Sequence, residues 1–362
     1  MQHKKTILHI IDYLGRGGAE VMLVKLLKEL TEYNNIVVTL NPQNHFSKEE
    51  FTCDSYYCLH MGSFARFPLA ALKLKAFIKK NKIDLVHSHL FSATLVARLA
   101  TPQRIPLITT IHTNIAASAD YKKWYLKALE KISYRRHKST IIGVSKSVME
   151  QYFTHFNHTP YRQHLLYTFV DVNEVQPGAI QNQNEAVAPF RLIAIGALRY
   201  PKNQQYLIRA FEKIKNENIE LHIYGIGVQQ QELEQAIAAS EVKVILKGEV
   251  KGAAQLMTQY DVYVMSSEFE GFSLSVLEAM AMQMPMLLSD IPSFREQCAD
   301  TALFFNLNDT DDFIQKLLLL KNDNTLRQQL AQAAKNRVLN NFTLQHHLRG
   351  LRNIYHETLN DY

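Results

Sequence analysis

Two carboxylates eight residues apart, Glu270 and Glu278, bracket a glycine and an apolar run within DVYVMSSEFEGFSLSVLEAMAMQMPMLLSD, residues 261–290. Carboxylates accept hydrogen bonds from the hydroxyls of a sugar or ribose ring, and backbone amides between them can bind an anion. Gly271 lets the backbone approach a ligand closely, and the N–H groups of Phe272, Ser273 and Leu274 open a helix toward any anion in front of it. From Phe272 to Glu278 is roughly 9 Å at ~1.5 Å rise per residue. That span suits a ligand with a diphosphate in its middle and hydroxylated rings at both ends. Upstream, Arg199 offers a bidentate fork and Lys202 a compact charge, the two cation types suited to a diphosphate.

The elements that must position these groups are legible from periodicity. Val262 to Met265 reads as a short strand, SSEFEG as a turn, Phe272 to Met282 as a helix and Met284 to Leu288 as a second strand, one β-α-β unit. Both carboxylates then fall beyond the carboxyl end of a parallel strand, where open α/β sheets bind ligands. Arg199 and Lys202 follow FRLIAIGAL, Phe190 to Leu198, a nearly continuous apolar strand of the kind buried on both faces. Ile219 to Gly225 and Val242 to Gly248 supply further strands. Before them, Asp171 to Pro189 loses apolar periodicity and is rich in Asn, Gln and Pro, which marks a linker.

The first half repeats the alternation. Strands are expected at Lys4 to Asp12, Asn35 to Leu40, Ile83 to Ser88, Leu107 to His112 and Thr140 to Val144, with helices at Ala19 to Leu30 and near 67–80, 91–100, 121–136 and 146–155. Strands alternating with helices of this length give parallel sheets covered on both faces. The loop YLGRGGAE between the first strand and helix does not have the G-x-G-x-x-G spacing of a dinucleotide site. A tight turn at the sheet edge accounts for it equally well.

At 362 residues the chain is long for one core and comfortable for two domains, and 47% hydrophobic with 20% charged residues describes a folded globular protein. No apolar run approaches a membrane-spanning length, and three cysteines without metal-ligand spacing fit a reducing cytoplasm. Charge is divided unevenly. Residues 1–170 hold 23 Lys+Arg against 11 Asp+Glu, net +12, while residues 171–362 are net −6. The excess gathers in two helices: residues 66–82 carry six basic residues and no acid, and residues 121–138 carry seven against Glu130, together with Trp124. Two readings are open, a solvated helix face with Trp124 in the core, or a surface that lies peripherally on anionic lipid at the inner face of the cell membrane. No recognition motif accompanies the charge that would point to nucleic acid.

EFEGFSLSVLEAMAMQMPMLLSD strongly resembles the Glu-x7-Glu region of retaining GT-B glycosyltransferases of family 4, the glycosyl transferases group 1. The resemblance implies an α/β fold of two Rossmann-like, doubly wound domains facing a cleft. Its acceptor-side domain would be 1–170, with a last helix at about 344–362 crossing back to it, and its nucleotide-sugar domain 190–343, after the 171–189 linker. It maps Glu270 to the donor sugar, Glu278 to the ribose, the Gly271 to Leu274 backbone to the phosphates, and His112 to the reacting end of the sugar. It assigns Gly17 and Gly18 of the GGAE loop to the donor and acceptor side. The family pattern Gly-Arg-Leu-x3-Lys-Gly/Asn is met by Gly196, Leu198, Lys202 and Asn203. Ala197 stands where the family has arginine, and Arg199 is the proposed substitute.

The function implied is transfer of a sugar from a nucleoside-diphosphate donor, UDP by preference, to a glycan or lipid-linked acceptor in bacterial surface polysaccharide or glycolipid synthesis. No metal or other cofactor is expected. The Asp-x-Asp in DTDDF, residues 309–313, directly precedes the amphipathic run FIQKLLLLK, so its acids read as a helix N-terminus. Two other readings stay open: an epimerase or hydrolase of nucleotide sugars on the same fold, and a catalytically silent partner of a membrane polysaccharide-assembly complex.

Overall fold

The computed structural model describes residues 4–113, 123–175, 188–250 and 252–361. The chain divides into two compact units, Met1–Thr168 with Gln345–Tyr362, and Phe169–Leu344.

The first unit runs β1 (Thr6–Ile11), α1 (Gly18–Glu29), β2 (Asn34–Thr39), β3 (Ser55–Cys58), α2 (Phe67–Lys80), β4 (Leu85–His89) and α3 (Phe91–Ala100). It continues with β5 (Leu107–Ile111), α4 (Trp124–Arg136), β6 (Thr140–Gly143), α5 (Lys146–Phe156) and β7 (Arg162–Leu165). These strands form a parallel sheet in the order β3-β2-β1-β4-β5-β6-β7. Strand alternation sorts the core. Leu8 and Ile10 of β1 pack with Ala70, Leu74 and Ile78 of α2 and with Val96 and Ala97 of α3, whereas Ile11 packs with Leu23 and Leu27 of α1 on the opposite face. Helix α4 sits beside α3 on the α2 side, tied to it through Arg98 and Glu130.

The second unit contains β8 (Phe190–Ile195), α6 (Gln204–Glu212), β9 (Ile219–Tyr224), α7 (Gln230–Ser240), β10 (Val244–Gly248), α8 (Ala253–Leu256), β11 (Val262–Met265) and α9 (Leu274–Ala281). It ends with β12 (Met286–Ser289), α10 (Pro292–Cys298), β13 (Leu303–Phe305), α11 (Thr310–Asn322) and α12 (Asn324–Asn341). Its sheet is also parallel, in the order β10-β9-β8-β11-β12-β13. The last helix, α13 (Leu344–Asn360), belongs from Gln345 onward to the first unit. There, His347 Nδ1 lies 2.7 Å from the Tyr167 carbonyl, and the Tyr355 hydroxyl lies 2.7 Å from His87 Nδ1.

Several expectations change. The helix expected from Phe272 begins at Leu274, because Phe272 is buried edge-on against Phe342 at 5.1 Å and Ser273 takes the N-cap position. Trp124 is not in the core but 81% exposed. Strands β3, β7 and β13 have no counterpart in the sequence reading. The first two are edge strands with mixed burial and no apolar alternation, and the third has three residues. Of the expected linker 171–189, residues 176–187 lie outside the described residues. Its first part is not loose chain: the Asp171 carbonyl accepts from the amides of Glu174 and Val175, and Val170 bridges to Thr343. Tyr121 and Lys122 of the second basic segment also lie outside the described residues. No helix among the described residues is long and apolar enough to cross a membrane.

Candidate active site

In the second unit the turn after β8 and the turn after β11 converge. Lys202 Nζ donates to Glu270 Oε1 at 2.7 Å, and Ser267 Oγ donates to the same oxygen at 2.7 Å. Both members of the ion pair are largely shielded, with 12% and 13% of their side chains exposed, so the attraction is screened less than at the surface. The lysine stem is guided there by Gly196, whose missing Cβ would lie 3.4 Å from Lys202 Cε. The two turns are stitched together by Ser266 Oγ, which donates to the Asn203 carbonyl at 2.8 Å, and by the Glu268 amide, which donates to the Pro201 carbonyl at 2.9 Å. Asn203 itself is left-handed at φ 49°, a conformation that asparagine and glycine adopt most readily. That is the physical reason for a Gly-or-Asn position after the lysine.

The turn after β9 closes on the same loop. Gly225 has φ 144°, and a Cβ there would lie 2.0 Å from the Gly196 carbonyl oxygen, so no other residue fits. The guanidinium of Arg199, by contrast, is exposed and has no hydrogen-bond or ion-pair partner among the described residues. The structure therefore brings Lys202 to Glu270 and leaves Arg199 outside that contact.

The expected row of three free amides needs one correction. The Ser273 amide donates to Gln297 Oε1 at 3.0 Å, and Gln297 Nε2 donates back to the Ser273 carbonyl at 2.8 Å. Gln297 is fully buried on α10, and it uses up this N–H. Among the described residues the Gly271 and Leu274 amides donate to nothing, so both remain open to an anion. Glu278 lies one turn into α9 and is half-buried. Behind it the Tyr263 hydroxyl donates to Ser275 Oγ at 2.9 Å, which fixes the floor under the helix start.

The first unit carries its own cluster at the carboxyl end of its sheet. Gly17 caps α1 and Gly18 is that helix's first residue. A Cβ on Gly17 would sit 2.6 Å from Glu20 Oε2, because the buried Glu20 carboxylate folds back against the loop. His112 follows β5 and is partly exposed, with Nε2 3.1 Å from Nδ1 of buried His89. Desolvation, reinforced by His347, pulls His112 down to about 3, so it is neutral at physiological pH. His87 has both ring nitrogens engaged, by the hydroxyls of Tyr355 and Thr110 at 2.7 Å each. His9, His87 and His89 bring ring nitrogens within 4.8 Å of one another. His87 is satisfied on both sides, whereas His9 Nδ1 and His89 Nε2 are buried without a hydrogen-bond partner among the described residues. Immediately after His89, Leu90 takes φ 66°, a strained conformation for leucine that sets the direction of α3.

The sequence reading missed Ser267, Gln297 and Glu20. Ser267 and Glu20 lie within three residues of positions already singled out. Gln297 is 24 residues from Ser273 and meets it only through packing. The acids of DTDDF act as read: Asp309 Oδ1 caps α11 by accepting from the Asp311 and Asp312 amides at 3.0 and 3.2 Å.

Comparison with known proteins follows the same division. The family model for glycosyl transferases group 1 matches residues 177–337, and that for glycosyltransferase family 4 matches residues 16–174. The chain is 26% identical over 339 residues, 90% of its length and 92% of the relative's, to a Campylobacter jejuni N-acetylgalactosamine-N,N'-diacetylbacillosaminyl-diphospho-undecaprenol 4-alpha-N-acetylgalactosaminyltransferase. It is 22% identical to the N-acetyl-alpha-D-glucosaminyl L-malate synthase of Bacillus anthracis, covering 99% of this chain and 98% of that one. Among solved structures, sucrose-phosphate synthase from Thermosynechococcus elongatus superposes with a TM-score of 0.86 at 16% identity, over 99% of this chain and all of that one. Anabaena HepE in complex with UDP and glucose does so at 0.84 and 18%, over 98% and 99%. With both halves matched in order and two parallel, doubly wound sheets in place, the chain belongs to the GT-B glycosyltransferases of family 4, group 1.

Proposed function

We propose that the chain transfers a sugar from a UDP-sugar to a glycan or lipid-linked acceptor during assembly of a bacterial surface polysaccharide or glycolipid, with retention of anomeric configuration and without a required metal. The observation that carries this reading is the shielded Lys202–Glu270 pair, held at 2.7 Å beside a helix start with unengaged amides. The choice of UDP is supported by the Anabaena structure solved with that nucleotide, and the lipid-linked acceptor by the name of the Campylobacter relative.

In this reading Lys202 carries the chemistry of the leaving group. Breaking the bond between sugar and diphosphate leaves negative charge on phosphate, and a preplaced ammonium and open amides stabilise it as it develops. Arg199, unpaired in the structure, is free to swing onto the same oxygens. Glu270 orients the sugar and Glu278 the ribose, while the Gly17–Gly18 loop gives the donor and acceptor close backbone approach. Neutral His112 hydrogen-bonds the reacting sugar without opposing the positive charge that builds on its ring. The departing diphosphate takes the acceptor proton on the face that it leaves.

Peripheral membrane contact completes the reading. Lys127 and Arg135 of α4 are exposed around Trp124 and Ile132, which are 81% and 60% exposed. Leu69 and Leu72 of α2 are 52% and 65% exposed among lysines on the same face of the sheet.

Replacing Lys202 or Glu270 by Ala is expected to lower kcat/KM at least about tenfold, or ~1.4 kcal/mol, measured with UDP-sugars and a lipid-linked acceptor. Unchanged rates in both variants would remove the assignment. Chelator should leave the wild-type rate unaltered, and free sugar released without acceptor would indicate a hydrolase instead.

A further inference from the structure

We infer that His9, His87 and His89, none of them assigned a part in sugar transfer, form a buried binding site for one zinc ion. Strand geometry brings them together. His9 of β1 pairs in register with His87 of β4, and the two-residue period of a strand puts His89 on the same face as His87. The ring centroids of His87 and His89 are 4.2 Å apart and lie 5.7 and 6.1 Å from that of His9. All three residues are at most 3% exposed.

The hydrogen bonds around the trio fix where ring protons sit. Asn35 Nδ2 donates to the Leu30 carbonyl at 2.8 Å, so Asn35 Oδ1 faces His9 Nε2, at 3.3 Å, and accepts from it. His9 therefore carries its proton on Nε2, and its Nδ1 is a bare lone pair, buried without a partner among the described residues. His89 Nε2 is buried and unpartnered in the same way, while its Nδ1 lies 3.1 Å from His112 Nε2. His87 meets a hydroxyl on each side, and a neutral ring donates to one and accepts from the other. Its accepting nitrogen is a further lone pair, which the hydroxyl yields by turning about its C–O bond. Polar atoms left unmet in the interior cost free energy, and one cation answers them together.

The donor set selects the ion. Three imidazoles without a carboxylate suit a transition metal such as zinc rather than magnesium or calcium. One ring nitrogen from each residue lies within 4.8 Å of the others. A point equidistant from three such atoms is at most roughly 2.8 Å from each, so shifts of about 0.7 Å reach the ~2.1 Å of a zinc–nitrogen bond. Each ring also keeps an outer partner, as zinc-bound histidines commonly do: Asn35 for His9, His112 for His89, and Tyr355 or Thr110 for His87. A cavity of about 10 Å³ opens on His87 and His89, room for a water that completes four-coordination and, once ionised, offsets part of the charge. The ion ties β1 to β4 and takes no step in transfer, so turnover that a chelator leaves unaltered is compatible with it.

The test is the metal content of the full chain, desalted from a weak chelator and read by plasma mass spectrometry, together with cobalt(II) uptake followed by visible absorption. Zinc is expected at about one ion per chain, and cobalt in its place should give the intense absorption of a four-coordinate site. His9→Gln and His89→Gln should each weaken zinc binding at least about a hundredfold, the upper end of what losing a mere outer partner costs. His347→Gln, at a buried histidine of the same unit outside the trio, should retain the ion. Zinc should raise the melting temperature of the unaltered chain and leave that of the two trio variants where it was. If the glutamine variants do not fold, the cobalt spectrum and zinc content of the unaltered chain still decide. No bound zinc and no cobalt spectrum would overturn the site and leave a buried water between the lone pairs. Zinc that the trio variants keep, or that His347→Gln loses equally, would also overturn it. None of these readouts uses donor, acceptor or turnover, so failure here leaves the sugar-transfer reading standing.

Discussion

Glu130 is the single acid of α4. On the basic helix it looks like a surface acid, yet it is buried against Arg98 of α3, with Nη1–Oε1 at 2.5 Å and the Tyr152 hydroxyl donating to the same oxygen at 2.6 Å. A fully buried guanidinium requires such a partner, since an uncompensated charge in the interior is costly. The consequence reaches the surface: with its acid turned inward, the only charges that α4 presents to solvent are cations. Glu130→Ala should destabilise the first unit by ~3–5 kcal/mol in urea unfolding, and replacing Arg98 and Glu130 together by leucine should cost much less. Equal losses in the two variants would mean that lost packing, not a stranded charge, sets the effect.

At the level of elements, the chemistry proposed for Lys202 and Glu270 rests on the turns that follow β8 and β11, and these are shaped by contact with each other and with the turn after β9. The β9 turn can close only because Gly225 has no side chain against the Gly196 carbonyl, and Gly196 in turn lets the Lys202 stem pass. Gly225→Ala should therefore displace the lysine loop. We expect a loss of ~1–3 kcal/mol in stability together with reduced turnover. Gly248, at the end of β10 with φ 70° and nothing within 4 Å of where a Cβ would stand, is the matched control. Gly248→Ala should cost about 1 kcal/mol and leave turnover intact, since only the backbone strain applies. Denaturant midpoints and steady-state rates on both variants would check this.

Across the molecule, titration is lopsided. His222 is the only histidine between Phe169 and Leu344, whereas the first unit buries His9, His87, His89 and His347 beside His112. Desolvation lowers His9 and His347 to about 4 and holds His87 and His89 well below their usual value. Such groups are neutral when folded and take up protons near pH 6.5 when unfolded. Their stabilisation is fully present above pH ~6.5 and is lost as pH falls toward 4, at up to ~1.4 kcal/mol per pH unit for each. Acid should thus loosen the first unit before the second. Hydrogen exchange resolved by peptide at pH 7.5 and 5.5, corrected for intrinsic rate, should show protection lost preferentially in residues 4–113; equal loss in both units would contradict it.

The sequence alone determined what depends on short-range pattern. Apolar runs of four to six residues alternating with amphipathic helices require parallel sheets, and the spacing of Glu270, Gly271 and Glu278 on one strand-turn-helix places them together at a strand end. Lys202 was legible because it follows an apolar strand at a fixed distance. Only the tertiary structure decided which amides and charges remain available, because that depends on partners far along the chain. Gln297 takes the Ser273 amide, Arg98 takes Glu130, and Phe342 draws Phe272 out of the helix it was expected to start. The edge strands β3 and β7 stayed hidden for the same reason: their hydrogen bonds come from a neighbouring strand, not from any periodicity of their own.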